Sequence, residues 1–379
     1  MKLLFRRDLI IIWWINIGIL ITYTVNGALL PMVLRSRGFG EGAIGFVVGM
    51  VALGSVTGFL TSGQAIDRLD RRLFIMAGGL LWAVTSALMM FADSLAILAF
   101  LRLLQGIGYA ILYTATLVYA AQALPAEWRG RVVGMIEAIG ATAIAITPLL
   151  AYPLAERFGT PSVLLLAGGI SLLVALSAWL LPYQAPHREA SQTATQLFAR
   201  GAIVPGLIAV SLFSCATAFI SLAPLLAISL GVQQIGLFLA LRAFGTVPTR
   251  LFSGYLSDHV HPAWAIVPGF GLAAATLGLL PFTHQQILSL ALAFLFGCGM
   301  GLASPAISAW MLQRVDVRQQ AVALNTLYIF AEGSGFLGAW AFGLGLERFG
   351  LNSLYGLCLV TALGLAGYVV YSRIGGQTI

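Results

Sequence analysis

Charged residues are scarce in this sequence. Only 9% of its 379 residues are Asp, Glu, Lys or Arg, against roughly a quarter in an ordinary soluble domain. A soluble fold needs polar residues to cover its surface, and a disordered chain needs still more of them. The composition therefore excludes a soluble enzyme, a nucleic-acid-binding module and a disordered chain.

Lysine and cysteine are also scarce. Lys2 is the single lysine, so the chain has no interior lysine for a phosphate-binding P-loop. The three cysteines are odd in number and lie in apolar runs, which argues against a disulfide framework. Because the short motifs of metalloproteases, serine hydrolases and dithiol oxidoreductases are missing too, we expect no enzyme, no cofactor and no metal site.

Hydrophobic residues, in contrast, make up 60% of the chain. They form twelve runs that are long enough for membrane helices of ~20 residues. The runs are too long and too uniformly apolar for the alternating strands of a membrane barrel, and the first is too long for a signal peptide. The sequence predicts an all-α integral membrane protein with spans at residues 9–34, 43–66, 73–91, 95–123, 132–154, 162–181, 201–230, 234–256, 263–281, 286–312, 321–346 and 351–371.

One long polar stretch separates two sets of six spans. It covers residues 182–200 and predicts a cytoplasmic linker between an N-terminal six-helix bundle, residues 1–181, and a C-terminal bundle, residues 201–379. With the N-terminus inside, the inner segments hold thirteen Arg or Lys residues and the outer loops hold four. This excess predicts a multi-pass protein of the cell inner (plasma) membrane with both termini in the cytoplasm.

The two halves repeat each other at a constant offset of 191 residues. The offset aligns several glycines, brings Asp67 onto Asp258, and matches the string Glu-Arg-Phe-Gly at 156–159 with the same string at 347–350. Because each half has an even number of spans, the two halves share one orientation in the membrane. This arrangement is typical of transporters in which two parallel repeats rock about a site near the midplane.

Two motifs carry a resemblance to a known family. The stretch Gly63-Gln-Ala-Ile-Asp67-Arg68-Leu-Asp70-Arg71-Arg72 resembles the loop signature of the major facilitator superfamily, with Asp70 where that signature has its second glycine. Residues 102–106, Arg-Leu-Leu-Gln-Gly, are similar to the second signature of the family. The resemblance implies the major facilitator fold, in which two six-helix bundles are related by a pseudo-two-fold axis along the membrane normal.

The resemblance also implies a role for the loop. Asp67 and Arg68 would belong to a latch that holds one conformation and opens in the other, and Asp258 would be its counterpart in a decayed copy, Gly254-Tyr-Leu-Ser-Asp258. The alternative is a basic loop that only fixes topology.

Five ionisable residues within the spans are candidates for coupling and binding, because charges in a membrane usually face a cavity or a partner. They are Arg102, Glu137, Arg242, Arg250 and Glu332. Spans five and eight meet in the superfamily fold and Glu137 matches Arg250 in depth, so we expect this pair to form an inner gate. The alternatives are a permanent structural pair or two unrelated groups. Glu332, near the midplane, is the first candidate for the proton carrier, and Glu137 is the second.

Arg102, Arg242 and Glu332 are expected to surround a central cavity, unless Glu332 is a static partner of Arg242. Polar and aromatic side chains on spans one, four and ten are candidate substrate contacts, with helix packing or interface anchoring as the alternative. They are Asn16, Tyr23, Asn26, Tyr109, Tyr113 and Trp310.

The sequence therefore favours a secondary active transporter that moves a small organic solute by alternating access, with proton-coupled efflux as the first hypothesis. Two arginines against one glutamate favour a solute with anionic or zwitterionic character. The alternative to efflux is a proton-coupled importer of an organic anion or zwitterion. We expect a monomer in the lipid bilayer whose partners are protons and the solute, with no nucleic acid.

Overall fold

The computed structural model describes residues 7–123, 126–183, 199–283, 285–315 and 320–374. α-Helices fill almost all of these ranges, and none of the residues within them lies in a strand. The prediction of an all-α chain is therefore confirmed.

Thirteen α-helices occur in the described ranges. They are α1 Arg7–Ser36, α2 Glu41–Arg68, α3 Arg71–Leu88, α4 Leu95–Gln122, α5 Ala126–Phe158, α6 Thr160–Ser177, α7 Ile203–Ser221, α8 Ala223–Ser229, α9 Ile235–His259, α10 Ala263–Leu279, α11 Gln286–Leu312, α12 Gln320–Phe349 and α13 Ser353–Ile374. The seventh predicted run is divided into α7 and α8 at Leu222. Pro224 lies in the first turn of α8. Proline is tolerated there because the first backbone N–H groups of a helix have no partner within it, but a proline in the interior of one continuous α7–α8 helix would break a hydrogen bond.

Most of these helices are long and apolar enough to cross a bilayer. Within the described residues there are 10 such stretches, and one of them, Thr326–Ser372, covers most of α12 and α13. The chain is a multi-pass membrane protein.

The helices form two compact units. Unit 1 comprises Met1–Val33 and Met50–Thr195, and unit 2 comprises Leu34–Gly49 and Gln196–Ile379. In unit 1, α3 packs on α4 and α6, around a core to which Ile12, Ile75 and Tyr119 contribute. In unit 2, α9 packs on α11 and α12 packs on α7.

The same glycine contacts occur in both units. A methyl group on Gly54 of α2 would overlap the carbonyl oxygen of Leu103 on α4, and one on Gly106 would overlap that of Val51. In unit 2, Gly245 lies against the carbonyl of Phe294 and Gly297 against that of Arg242. Each of these four residues of unit 2 lies 191 positions after its counterpart in unit 1. The repeat is thus present in three dimensions, as a closely packed seam between α2 and α4 and between α9 and α11.

Residues Leu34–Gly49 belong to unit 2 because they pack along α12. The N–H of Gly42, at the start of α2, donates to the carboxylate of Glu347 at 2.8 Å. The ring of Phe46 lies 6.0 Å from that of Trp340. A carboxylate at a helix N-terminus is favoured by the helix dipole, so Glu347 fixes the start of α2 to the end of α12.

Candidate functional site

Arg102 is held by a buried polar chain in unit 1. It is 2% exposed, and its Nη1 donates to Oε1 of Gln105 at 2.8 Å, one turn further along α4. Gln105, which is fully buried, donates from Nε2 to Oγ of Ser86 on α3 at 3.0 Å. A buried cation is costly unless it is hydrogen-bonded, so this chain fixes the direction of the Arg102 guanidinium.

Four aromatic rings form a cluster in the same unit. The Tyr23 ring of α1 lies 4.7 Å from Tyr109 and 6.1 Å from Trp82 of α3. Tyr109 stacks on Tyr113 at 5.5 Å, with 16° between the ring planes. Trp82 is buried, whereas the three tyrosines are half-buried. The cluster thus offers partly accessible aromatic faces on which a planar solute can stack.

The two predicted asparagines of α1 are more enclosed than the tyrosines. Asn26 is 2% exposed and donates its amide to the carbonyl of Thr22 in the same helix. Asn16 is also buried, and its side chain lies against Gly140 of α5. The structure therefore places the tyrosines, rather than the asparagines, at an accessible surface of unit 1.

Unit 2 holds two of the predicted intramembrane charges. Arg242 of α9 is 8% exposed, and its Nε has no hydrogen-bond partner among the described residues. Glu332 of α12 is half-buried. Within the parts of the chain that the structure describes, no ion pair joins Glu332 to Arg242 or to another cation. The structure gives no support to Glu332 as a static partner of Arg242.

Trp310 has a different environment from the one predicted. It is fully buried, and its ring lies 4.8 Å from Tyr368 and 5.9 Å from Tyr371. The guanidinium of Arg314 lies over the Trp310 ring at 4.7 Å and over the Tyr371 ring at 4.8 Å. These contacts join α11 to α13, and they leave the ring no exposed surface for a solute.

The predicted gate and latch fall largely on residues whose side chains the structure does not describe. Arg250 is described, and it is exposed. Its expected partner Glu137 lies outside the described side chains, as do three latch residues, so both hypotheses stay predictions. The latch residues concerned are Asp67, Arg68 and Asp258.

The described part of the loop explains the departure from the family signature at Asp70. Its carboxylate accepts a hydrogen bond from the backbone N–H of Arg72 at 3.1 Å and caps α3. It also pairs with the Arg72 guanidinium at 2.7 Å. Arg72 in turn donates to the carbonyl of Leu181 at 3.2 Å and lies over the ring of Tyr183. Asp70 therefore orients the arginine that contacts the chain on both sides of the predicted start of the linker, at Leu181 and Tyr183.

Sequence reasoning missed Ser86 and Trp82 as members of the site. Both lie on the buried face of α3, together with Ile75, Gly78 and Gly79. Their spacing of three to four residues marks a face that packs inward. The sequence does not say which helix that face meets, so their contact with α4 could not be predicted.

Comparisons with known proteins agree on one family. The family model described as Major Facilitator Superfamily matches residues 12–339 and 206–374. The purine ribonucleoside efflux pump NepI of Escherichia coli O157:H7 is 26% identical over 350 residues, covering 89% of this chain and 87% of that protein. The MFS-type transporter SLC18B1 of Mus musculus is 26% identical over 291 residues, or 71% of this chain and only 62% of the mouse protein.

Solved structures with low sequence identity share the fold. A bacterial homologue of the human lysosomal transporter Spinster, in an inward-facing and occupied conformation, has a TM-score of 0.82 at 17% identity, covering 96% of both chains. The nucleoside transporter NupG has a TM-score of 0.76 at 13% identity, covering 97% of this chain and 100% of that one.

Proposed function

Because the chain belongs to the major facilitator superfamily, whose members here are transporters rather than enzymes, we propose that it exports a small organic solute in exchange for protons. In this proposal it is a monomer in the cell inner membrane, with both termini in the cytoplasm. The bundles of residues 1–181 and 201–379 provide alternating access, and residues 182–200 join them.

The observation that carries the proposal is that α4 carries both a fixed, buried cation and partly accessible aromatic faces. The chain from Arg102 through Gln105 to Ser86 fixes one guanidinium, and Tyr109 and Tyr113 stack within the same helix. A few oriented polar groups beside aromatic faces are the usual make-up of a small-molecule site. This combination suits a solute with a planar ring and hydrogen-bond acceptors.

A purine ribonucleoside is the first solute to test. NepI, which matches most of this chain, is named as a purine ribonucleoside efflux pump. A purine can stack on tyrosine, and its ring nitrogens can accept hydrogen bonds from a guanidinium. The same relative supports export over import.

Glu332 is the proposed proton carrier. It lies in a membrane span and has no ion-pair partner among the described residues. An ionised carboxylate in hydrocarbon is costly, so closing a cavity around Glu332 favours uptake of a proton and opening it to water favours release. The Glu137–Arg250 gate and the latch at Asp67, Arg68 and Asp258 remain parts of the proposed cycle.

The experiment uses purified protein in proteoliposomes with radiolabelled inosine and adenosine. We expect saturable solute flux whose direction is opposite to the flow of protons down the imposed pH gradient. Glu332→Gln is expected to abolish gradient-driven accumulation and to retain solute exchange at equal pH, because exchange needs no net proton movement. Glu156→Gln, which changes an exposed acid on α5, is the matched control and is expected to behave as the parent protein.

Two results would count against the proposal. Gradient-driven accumulation by Glu332→Gln would remove Glu332 as the carrier. Flux that is not saturable, or conductance steps in a planar bilayer, would replace a carrier with a channel.

The alternative is a proton-coupled importer of an organic anion or zwitterion. Arg102 in unit 1 and Arg242 in unit 2 favour it, since both are buried and a cation within a membrane span usually faces a cavity or a partner of opposite charge. The direction of the pH gradient that drives accumulation separates import from export, and competition by a panel of carboxylates against nucleosides separates the solute classes.

A further inference from the structure

A groove of about 440 Å³ opens on unit 2 between α12 and α13, with α7 behind it. The volume falls within the ~300–1,000 Å³ that is usual for small-molecule sites. None of the candidate solute-binding or coupling residues lines the groove. It is therefore separate from the site described above.

The floor of the groove is buried and its walls are exposed. Phe342 and Leu357 in the floor are 3% and 8% exposed. Leu337 and Phe349 in the wall are 54% and 67% exposed. All four lie in the span Thr326–Ser372. Exposed apolar side chains in a membrane span are suited to contact with hydrocarbon, so an apolar chain is the occupant that this environment supplies.

The length of the groove fits one leaflet. Its lining on α12 runs from Leu337 to Phe349, which is ~18 Å of helix at ~1.5 Å per residue. One leaflet contributes about half of the ~30 Å hydrocarbon core. The groove is thus long enough for one extended acyl chain and too short to cross the bilayer.

The end of the groove at the α12–α13 turn is polar and carries a positive charge. Asn352 and Ser353 line it there. Arg348 is exposed and directly precedes Phe349, which lines this end of the groove. Glu347, the neighbouring acid, is directed to the Gly42 N–H instead. The charge at this end therefore suits a lipid phosphate.

The other half of the repeat lacks the glycines that keep the groove open. Gly345 and Gly356 line the groove, and the residues 191 positions earlier are Leu154 and Leu165. Both leucines are exposed, at 38% and 46%. A methyl group on Gly356 would have no heavy atom within 4 Å, so the glycine leaves open space that a leucine fills.

We propose that this groove binds one phospholipid, with an acyl chain between α12 and α13 and the phosphate beside Arg348. The glycines provide the slot, the exposed walls provide contacts to the chain, and the turn provides the polar end. The site is independent of the transported solute.

The test uses the full-length protein in liposomes that contain a phosphatidylglycerol with a photoactivatable diazirine on one acyl chain. Peptide mapping is expected to place most of the covalent label within residues 337–360. Gly356→Leu should lower this label at least fivefold, because its side chain occupies the slot. Gly169→Leu is the matched control, since Gly169 is an exposed glycine of α6 whose added methyl group would also meet nothing within 4 Å.

A second arm tests the phosphate. Arg348→Gln is expected to lower labelling by the diazirine phospholipid severalfold and to leave labelling by a diazirine alkanol unchanged. Should Gly356→Leu fail to give monodisperse protein, Val360→Trp on the groove wall replaces it with the same expectation. Label spread evenly over exposed helix faces, no loss with the filling variants, or chain-to-chain crosslinks through 337–360 in place of lipid label would each overturn the proposal.

Discussion

The two units share the glycine-lined helix seams and differ in the side chains next to those seams, which are polar in unit 1 and apolar in unit 2. In unit 1, a polar chain runs from Arg102 through Gln105 to Ser86. The residues 191 positions later are Ala293, Phe296 and Leu277. All three are buried and apolar. The repeat therefore preserves the backbone contacts of the seam while one copy carries a cation network and the other does not.

Unit 2 fills the equivalent space with aromatic packing. The ring of Phe296 stacks on Phe219 at 4.5 Å, and Phe219 stacks on Phe238 at 5.3 Å. Such a stack is stabilised by burial and ring contacts and offers no polar group to a solute. The comparison indicates that the hydrogen-bonded chain of Arg102, Gln105 and Ser86 in unit 1 has an apolar counterpart in unit 2.

The largest effect is expected from substitutions in the shared seam. Gly106→Val and Gly297→Val each drive a side chain into a backbone carbonyl of the neighbouring helix. Overpacking usually costs ~1–3 kcal/mol, and we expect more here because a backbone group cannot rotate away. Both variants should lose most of the monodisperse protein in size-exclusion chromatography.

The control for the seam is Gly271→Val on α10, where an added methyl group has nothing within 4 Å. It should retain the parental melting temperature. If one seam variant folds normally while its counterpart does not, the two units do not share the seam.

The second-largest effect is expected from substitutions that separate the polar chain of unit 1 from its apolar counterpart in unit 2. Gln105→Leu removes the acceptor of the Arg102 Nη1 donor, and the loss of a hydrogen bond to a charged group costs ~1.5–3 kcal/mol. We expect a lower melting temperature and at least a tenfold loss of solute flux. The same substitution at the counterpart, Phe296→Leu, should lower stability and leave the apparent KM of the folded protein unchanged. Equal effects of both variants on KM would contradict the division of roles.

Much of this comparison could be predicted from the sequence. The 191-residue offset aligned Gly54 with Gly245 and Gly106 with Gly297, and these residues form the two seams. Apolar runs gave the helices because a membrane span must be long and uncharged. The run at 286–312 matches α11 at both ends.

Side-chain directions could not be predicted in the same way. Trp310 was expected at a cavity and instead packs against Tyr368 of α13. Trp82 was overlooked, yet its ring lies beside Tyr23 and Tyr109. The spacing on α3 marks an inward face that includes Trp82, but a sequence pattern does not say which helix such a face meets, so the neighbours of an aromatic residue depend on tertiary packing.

The smallest expected effect concerns the side chains that accept hydrogen bonds from the first backbone N–H groups of α3 and α10. Asp70 accepts from the N–H of Arg72 at 3.1 Å, and His261, 191 positions later, accepts through Nδ1 from the N–H of Ala263 at 3.2 Å. Asp70 also pairs with the Arg72 side chain, whereas the described contacts of His261 include only the cap. Asp70→Ala should therefore cost ~1 kcal/mol, and His261→Ala should cost less. Thermal unfolding in detergent measures both, and a larger loss for His261→Ala would show that the charged pair adds nothing to the cap in unit 1.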